Sequence, residues 1–179
     1  LEMIEAIHPA PARIIDIGGG QSALAGALVD RGETQVTVLD VSAAALERAR
    51  ERLGEHASRI NWIVADLLDQ PALEPVDLWH DRAVFHFLTD ERDQRTYIKL
   101  AARTVVPGGH LLIGTFALTG PERCSGLPVC RYDAPSLATA FAPAFRLVDQ
   151  RDRMHTTPWS KEQPFTFALL QRVEDDHTR

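Results

Sequence analysis

Ile14-Ile15-Asp16-Ile17 runs straight into Gly18-Gly19-Gly20, and about twenty residues further on a second apolar run, Val36-Thr37-Val38-Leu39, ends on Asp40. A strand, a glycine turn, a helix-length interval and a strand closed by a carboxylate make one βαβ unit. Such a unit requires a parallel sheet with helices on its faces, which leaves few folds open. The glycines let the backbone turn sharply and approach a ligand closely. Asp40 falls where a ribose would present its hydroxyls, and a carboxylate can accept from both. The pattern predicts a nucleoside-binding turn.

Two nucleoside classes satisfy it. Gly18-x-Gly20-x-x-Ala23 meets the dinucleotide fingerprint in its G-x-G-x-x-A form, as in NAD-binding oxidoreductases. Asp16, two residues before the first glycine, weighs the other way, because a carboxylate repels a pyrophosphate docked over the turn. It suits an ammonium group. S-adenosylmethionine carries an amino group, a sulfonium and a ribose and has no phosphate, so the D-x-G-x-G turn favours it. A plainer role for Asp16, compatible with either, is to cap the glycine loop through local backbone bonds.

At 179 residues and 45% apolar, the chain suits a single domain, 1–179, with its core over about 13–173 and a polar, disordered tail at 174–179. A net charge of −6 argues against a nucleic-acid partner. No apolar run approaches the ~20 residues that cross a bilayer, and Glu2 and Glu5 are foreign to a signal peptide. Cys124 and Cys130 form no metal-ligand pattern, so no metal is expected. Two cysteines in a domain of this size point to a reducing, cytoplasmic compartment.

Periodicity and punctuation place the elements. Leu1–Ile7 reads as the end of a helix stopped by Pro9 and Pro11, and the first strand covers 13–17. A helix over 21–31 turns Ala23, Leu24, Ala27 and Leu28 inward and ends at Gly32. The second strand is 35–40. Ser42 caps a helix to Leu53, with Gly54 past its end. The third strand is Ile60–Ala65 before Asp66, and the fourth is Val76–His80 before Asp81. A long helix over 90–105, capped by Thr89 or Asp90, leads through the turn Pro107-Gly108-Gly109 to a fifth strand at 110–116. The loop Ala117–Tyr132 is too long for a plain connector. A short helix at 134–141 follows, with Pro135 in its first turn. The last strands, 145–154 and 164–172, are joined by about nine residues. That is too few for a parallel crossover, so they pair antiparallel.

Five strand–helix alternations closed by an antiparallel hairpin, with Asp16, Gly18, Gly20, Asp40 and Asp66 at strand ends, resemble the class I S-adenosylmethionine-dependent methyltransferases. The resemblance runs from Ile14 to about Val173. It rests on Ile15-Asp16-Ile17-Gly18-Gly19-Gly20, Val38-Leu39-Asp40, Val64-Ala65-Asp66-Leu67 and Val106-Pro107-Gly108-Gly109-His110, in that order. It implies a three-layer Rossmann-like α/β fold, with a seven-stranded, mostly parallel sheet whose last strand is antiparallel. It also implies that Asp16 and the glycine turn hold the methionyl end, that Asp40 takes the ribose hydroxyls and that Asp66 takes the adenine amino group. Val41 and Leu67 join that cofactor set, and Asp81 lies near the sulfonium. Ser22 stands where the family more often has a third glycine. Asp66 could equally cap the loop Leu67–Pro71.

Methyl transfer is an in-line displacement on an activated carbon. The protein has to hold the nucleophile at attack distance and remove its proton where it carries one. Asp81, His86 and His155, at the carboxyl edge, are the candidates for that proton. Arg82, Arg123 and Arg131 could clamp an anionic acceptor. With Tyr132 they point to the loop after the fifth strand as a lid over the acceptor. Plainer readings stand beside these: His86 as a packed histidine between two phenylalanines, His155 as closing the last hairpin, the arginines as solvated surface; Cys124 reads either as a thiol made reactive by Arg123 or as a buried, inert one. No Asn/Asp-Pro-Pro-aromatic stretch follows the fourth strand, which argues against adenine or amide acceptors. A small-molecule acceptor is the first expectation. His80-Asp81-Arg82-Ala83 is loosely similar to an Asp-Lys-Gly stretch of some protein lysine methyltransferases, the alternative. A non-catalytic methyltransferase-like binding protein is a third. Only a helix end precedes the first strand here, so the expectation is an open site or a lid lying outside this sequence.

Overall fold

Runs such as Ile14-Ile15-x-Ile17 and Val76-x-Leu78-Trp79 are apolar on both sides of the strand, as central strands covered on two faces must be. The computed structural model describes residues 2–7, 12–33, 35–157 and 160–174. In chain order they form α1 (Glu2–Ile7), β1 (Arg13–Ile17), α2 (Leu24–Asp30), β2 (Gln35–Asp40), α3 (Ala43–Leu53), β3 (Ile60–Val64) and β4 (Val76–Arg82). Then come α4 (Glu91–Thr104), β5 (Val105–Phe116), a ribbon of β6 (Arg123–Cys124) and β7 (Leu127–Pro128), α5 (Ala134–Phe141), β8 (Phe145–Thr156) and β9 (Glu162–Arg172).

The main sheet has seven strands in the order β3-β2-β1-β4-β5-β9-β8. The first five are parallel, and β9 runs antiparallel between β5 and β8. This is the three-layer, mostly parallel α/β architecture expected. Strand order reverses between β1 and β4, and that switch point opens a crevice at the carboxyl edge. One apolar cluster, including Ile14, Leu28, Leu46 and Leu78, packs α1, α2 and α3 on one face. The other, including Trp79, Tyr97, Leu137 and Phe141, packs α4 and α5 on the opposite face.

Local chemistry fixes the helix ends. Ser42 Oγ accepts from Ala45 N at 3.2 Å to start α3, and Gly54, at φ 56°, follows its last residue. Asp90 rather than Thr89 caps α4, accepting from Arg92 N at 2.7 Å.

Several boundaries differ from the sequence reading. Gly19–Gln21 forms a separate 3-10 turn, so α2 starts only at Leu24 and its phase rotates. Leu28 is buried as expected, but Ala25 and Val29 join it in place of Ala23, Leu24 and Ala27; Leu24 and Ala27 are half-buried and Ala23 is exposed. The Pro107–Gly109 turn bulges out within β5, because Val105 already pairs with Val76 before His110 pairs with Leu78. The strands of the last hairpin are longer than expected and leave only residues 157–161 between them. Leu1, Pro9, Pro11, Trp159 and 175–179 lie outside the described residues.

Candidate active site

The glycine turn follows β1 at the switch point. Gly18 takes a left-handed conformation, φ 65°, and its N–H donates to Leu39 O at 2.7 Å, tying the turn to β2. A side chain at Gly18 would overlap Val84, which follows β4. One at Gly20 would meet Ala45 Cβ at 2.7 Å and Asp40 Oδ2 at 2.8 Å. Glycine is therefore required by conformation at Gly18 and by space at Gly20. Between the ends of β1, β2 and β4 lies a cleft of about 710 Å³, lined among others by Gly18, Asp40, Val41, Asp66 and Leu67.

Asp16 is buried beneath this turn. Its Oδ1 lies 2.7 Å from His80 Nδ1, its neighbour in the β1–β4 register, while its Oδ2 is buried with no hydrogen-bond partner. An unpaired buried carboxylate oxygen calls for a donor. Asp40 closes β2 and accepts from Ser42 N at 2.9 Å and Gly20 N at 3.1 Å, which holds its carboxylate at the cleft wall. Asp66, exposed, accepts from Leu68 N at 2.9 Å through Oδ1. It caps the next turn as well as lining the cleft. Val41 is exposed at the cleft rim and Leu67 is buried in its wall.

The expected proton-handling groups are placed otherwise. Asp81 is fully buried and does not itself line the cleft, although its partner Tyr97 does. Its carboxylate accepts from Val84 N at 2.8 Å, Phe85 N at 3.0 Å and the Tyr97 hydroxyl at 2.5 Å. Burial raises its pKa to about 6 against the pull of those donors. With three donors consumed it holds the turn after β4, and a place beside the sulfonium is not what its geometry offers. His86 is buried between Phe87 and Phe116, with neither ring nitrogen bonded, and burial lowers its pKa to about 4. It is a neutral, packed ring. His155, half-buried near the end of β8, lies edge-on to Phe165, two strands away from β5.

Of the three arginines expected at the acceptor, Arg82 lines the cleft, its guanidinium stacked over Phe165 at 5.3 Å. Arg123 donates to Gly126 O, and Arg131 is engaged by Gly120 O at 3.1 Å and Glu122 at 3.0 Å. Both brace the β6–β7 ribbon. Tyr132 accepts from Gln94 Nε2 at 3.1 Å and packs its ring on Phe85, and burial pushes its pKa up. The loop expected over the acceptor instead brings Cys124 and Ser125 to the wall of the cleft that holds Asp40.

A family model described as a methyltransferase domain matches residues 14–109, which hold the glycine turn and every cleft strand. The chain belongs to the methyltransferase domain family. Nodulation protein S of Rhizobium fredii is 35% identical over 81 residues, 45% of this chain and 46% of that protein, so the match spans less than half of the relative. The N-methyltransferase NodS from Bradyrhizobium japonicum WM9, solved with S-adenosyl-L-homocysteine, superposes with a TM-score of 0.76 at 22% identity, covering 96% of this chain and 82% of that one. A Burkholderia thailandensis 1,6-didemethyltoxoflavin-N1-methyltransferase gives 0.75 at 19%, covering 97% and 76%. Likeness at these identities establishes the shared fold.

Two residues of this methyltransferase domain carry no signal of their partners in the sequence alone, and a third, His80, gains its partner only from the sheet, where β1 and β4 pair one residue out of step and set it beside Asp16. Tyr97 clamps Asp81, and Gln94 links Leu88 O to Tyr132. Their positions on the inner side of α4 were readable, their partners were not.

Proposed function

We propose that this chain is an S-adenosylmethionine-dependent methyltransferase acting on a small-molecule acceptor. The observation that carries the cofactor is Asp16 Oδ2, buried and unpartnered under the glycine turn. An ammonium would supply the missing donor, whereas a pyrophosphate in the same place would bring like charge against it. Asp16 would hold the methionyl ammonium, Asp40 the ribose hydroxyls and Asp66 Oδ2 the adenine amino group, with Val41 and Leu67 flanking the base. When bound, the cofactor supplies a methyl carbon activated by its sulfonium. The protein's own work is then orientation: Gly18 and Val84 shape the turn, and Asp40 is pre-set by Ser42 N and Gly20 N. The small-molecule assignment is supported by the relatives, one of which was solved with 1,6-didemethyltoxoflavin. Cys124 and Cys130 are unpaired thiols, in keeping with a cytoplasmic setting. No helix among the described residues is long and apolar enough to cross a membrane.

Calorimetric titration with S-adenosylhomocysteine and with NAD tests the cofactor. The homocysteine nucleoside should bind wild type, bind Asp16→Asn at least tenfold more weakly, and outcompete NAD. Tighter binding of NAD would move the protein to the oxidoreductases.

A further inference from the structure

A second groove, of about 670 Å³, lies on the α1–α2 face of the sheet and meets the first cleft at Arg82, which lines both. The sheet register builds it row by row. Parallel and antiparallel partners that sit opposite one another point to the same face, so Arg82, Gly114, Phe167 and Arg151 form one line across β4, β5, β9 and β8. Gly114 leaves the space that the Phe167 ring occupies, and any Cβ there would overlap that ring. The neighbouring rows add His80 and Leu112 on one side, and Phe165 with Arg153 on the other.

Arg151 and Arg153 reach this face because of one irregularity. Leu147 pairs with Leu170, but Asp149 pairs with Leu169, so Val148 is an extra residue and the odd-numbered side chains of β8 change face at that point. Without the bulge the two arginines would lie on the side of α5. Their guanidinium groups hold a single carboxylate oxygen between them: Glu2 Oε2, 3.3 Å from Arg151 Nη1 and 3.4 Å from Arg153 Nη2. Asp149 Oδ2 is 3.7 Å from Arg151 Nε. Glu2 is 76% exposed in its side chain, and ion pairs of that kind hold weakly. An external carboxylate would meet the same two guanidinium groups and compete with Glu2 for them.

We infer that this groove is the acceptor site, and that Arg151 and Arg153 take the anionic end of an elongated acceptor whose apolar middle lies on Leu112 and Phe167. This rests on the methyltransferase reading. Three strand spacings separate β4 from β8, roughly 14 Å, so the anion is bound far from the atom presented near Arg82. The chemical class is a small molecule with a carboxylate, sulfate or phosphate at one end and its methyl-accepting atom at the other.

The probe is 4-phenylbutyrate, with the neutral 4-phenylbutan-1-ol as its control. Binding is followed by NMR titration, and S-adenosylhomocysteine affinity is measured on the same samples. The acid should bind more tightly than the alcohol by about tenfold, the low end for charge-assisted bonds to exposed arginines. Arg151→Gln with Arg153→Gln should erase that preference and leave S-adenosylhomocysteine affinity unchanged. Glu2→Gln should strengthen binding of the acid severalfold. Equal binding of acid and alcohol, an unaltered preference in the double variant, or indifference to Glu2→Gln overturns the inference. Loss of S-adenosylhomocysteine binding in wild type would instead strike the methyltransferase reading on which it stands.

Discussion

Tyr97→Phe removes one oxygen atom from the centre of the molecule and should cost more than most surface changes together. The Tyr97 hydroxyl donates to Asp81 Oδ2 at 2.5 Å and accepts from Trp79 Nε1 at 2.8 Å, both in the buried core. Losing a bond to a charged acceptor costs about 1.5–3 kcal/mol, and an indole N–H stranded without a partner about 1–3 kcal/mol more. The ring contacts to Trp79 and Phe85 survive in phenylalanine, so the sum, about 2.5–6 kcal/mol at neutral pH, is not offset by packing. A domain stable by about 5–15 kcal/mol still folds with that loss, but with little margin. The loss should also depend on pH. Asp81 has a folded pKa raised to about 6, above its ordinary value, so the folded state binds its proton more tightly than the unfolded chain. That contribution to stability is complete below about pH 4 and is lost as pH rises through 6. The Tyr97 bond lowers this pKa, so the variant loses stability up to a higher pH. The gap between wild type and variant therefore widens from pH 5 to pH 8. His86 titrates alike in both proteins and drops out of the difference. Urea unfolding followed by tryptophan fluorescence at several pH values measures it, with an unchanged m-value showing that the same surface is exposed. A gap under about 1 kcal/mol at pH 7.5, or one identical at pH 5 and 7.5, would show that Tyr97 and Asp81 are not coupled as described.

Gly18→Ala forces a left-handed alanine against Val84, so it should destabilise the fold by about 1–2 kcal/mol and weaken S-adenosylhomocysteine binding at least tenfold; thermal melts and calorimetry check both. His86→Leu should stabilise the protein by about 1–2 kcal/mol, because two buried, unbonded ring nitrogens disappear. The gain grows as pH falls from 6.5 toward 4, where the unfolded histidine is protonated and the folded one is not. Methyl transfer should survive this change, and its loss with cofactor binding intact would restore His86 as the base.

Local signals in the sequence were read correctly where a single residue decides the backbone. Ser42 and Gly54 bound α3, and Gly18, Asp40 and Asp66 stand at strand ends around one cleft. What stayed hidden were choices of partner and face. Whether Asp81 meets solvent depends on Tyr97, 16 residues away and on another element. Arg151 and Arg153 look like ordinary edge-strand charges until the displaced register at Val148 shows which side they take. The same blindness applies to Arg123 and Arg131, because a two-stranded ribbon of two residues per strand carries no periodicity to read. Long-range register is set by the packing of whole faces, and no window of sequence contains it.

The bulge in β8 has a consequence for how the protein behaves among its own copies. Among the described residues β8 is the last strand of the sheet, with no strand on its outer side, and a straight apolar strand there would invite another chain to extend the sheet. The extra residue at Val148 breaks the even spacing of the ladder, and Arg146, Asp149, Asp152 and Arg153 stud the strand with exposed charge of both signs. A second molecule would have to bury those charges and match an uneven ladder to add its own strand. The kink thereby disfavours strand-by-strand extension of the sheet at high concentration, and variants that straighten β8 should be sought among those that aggregate.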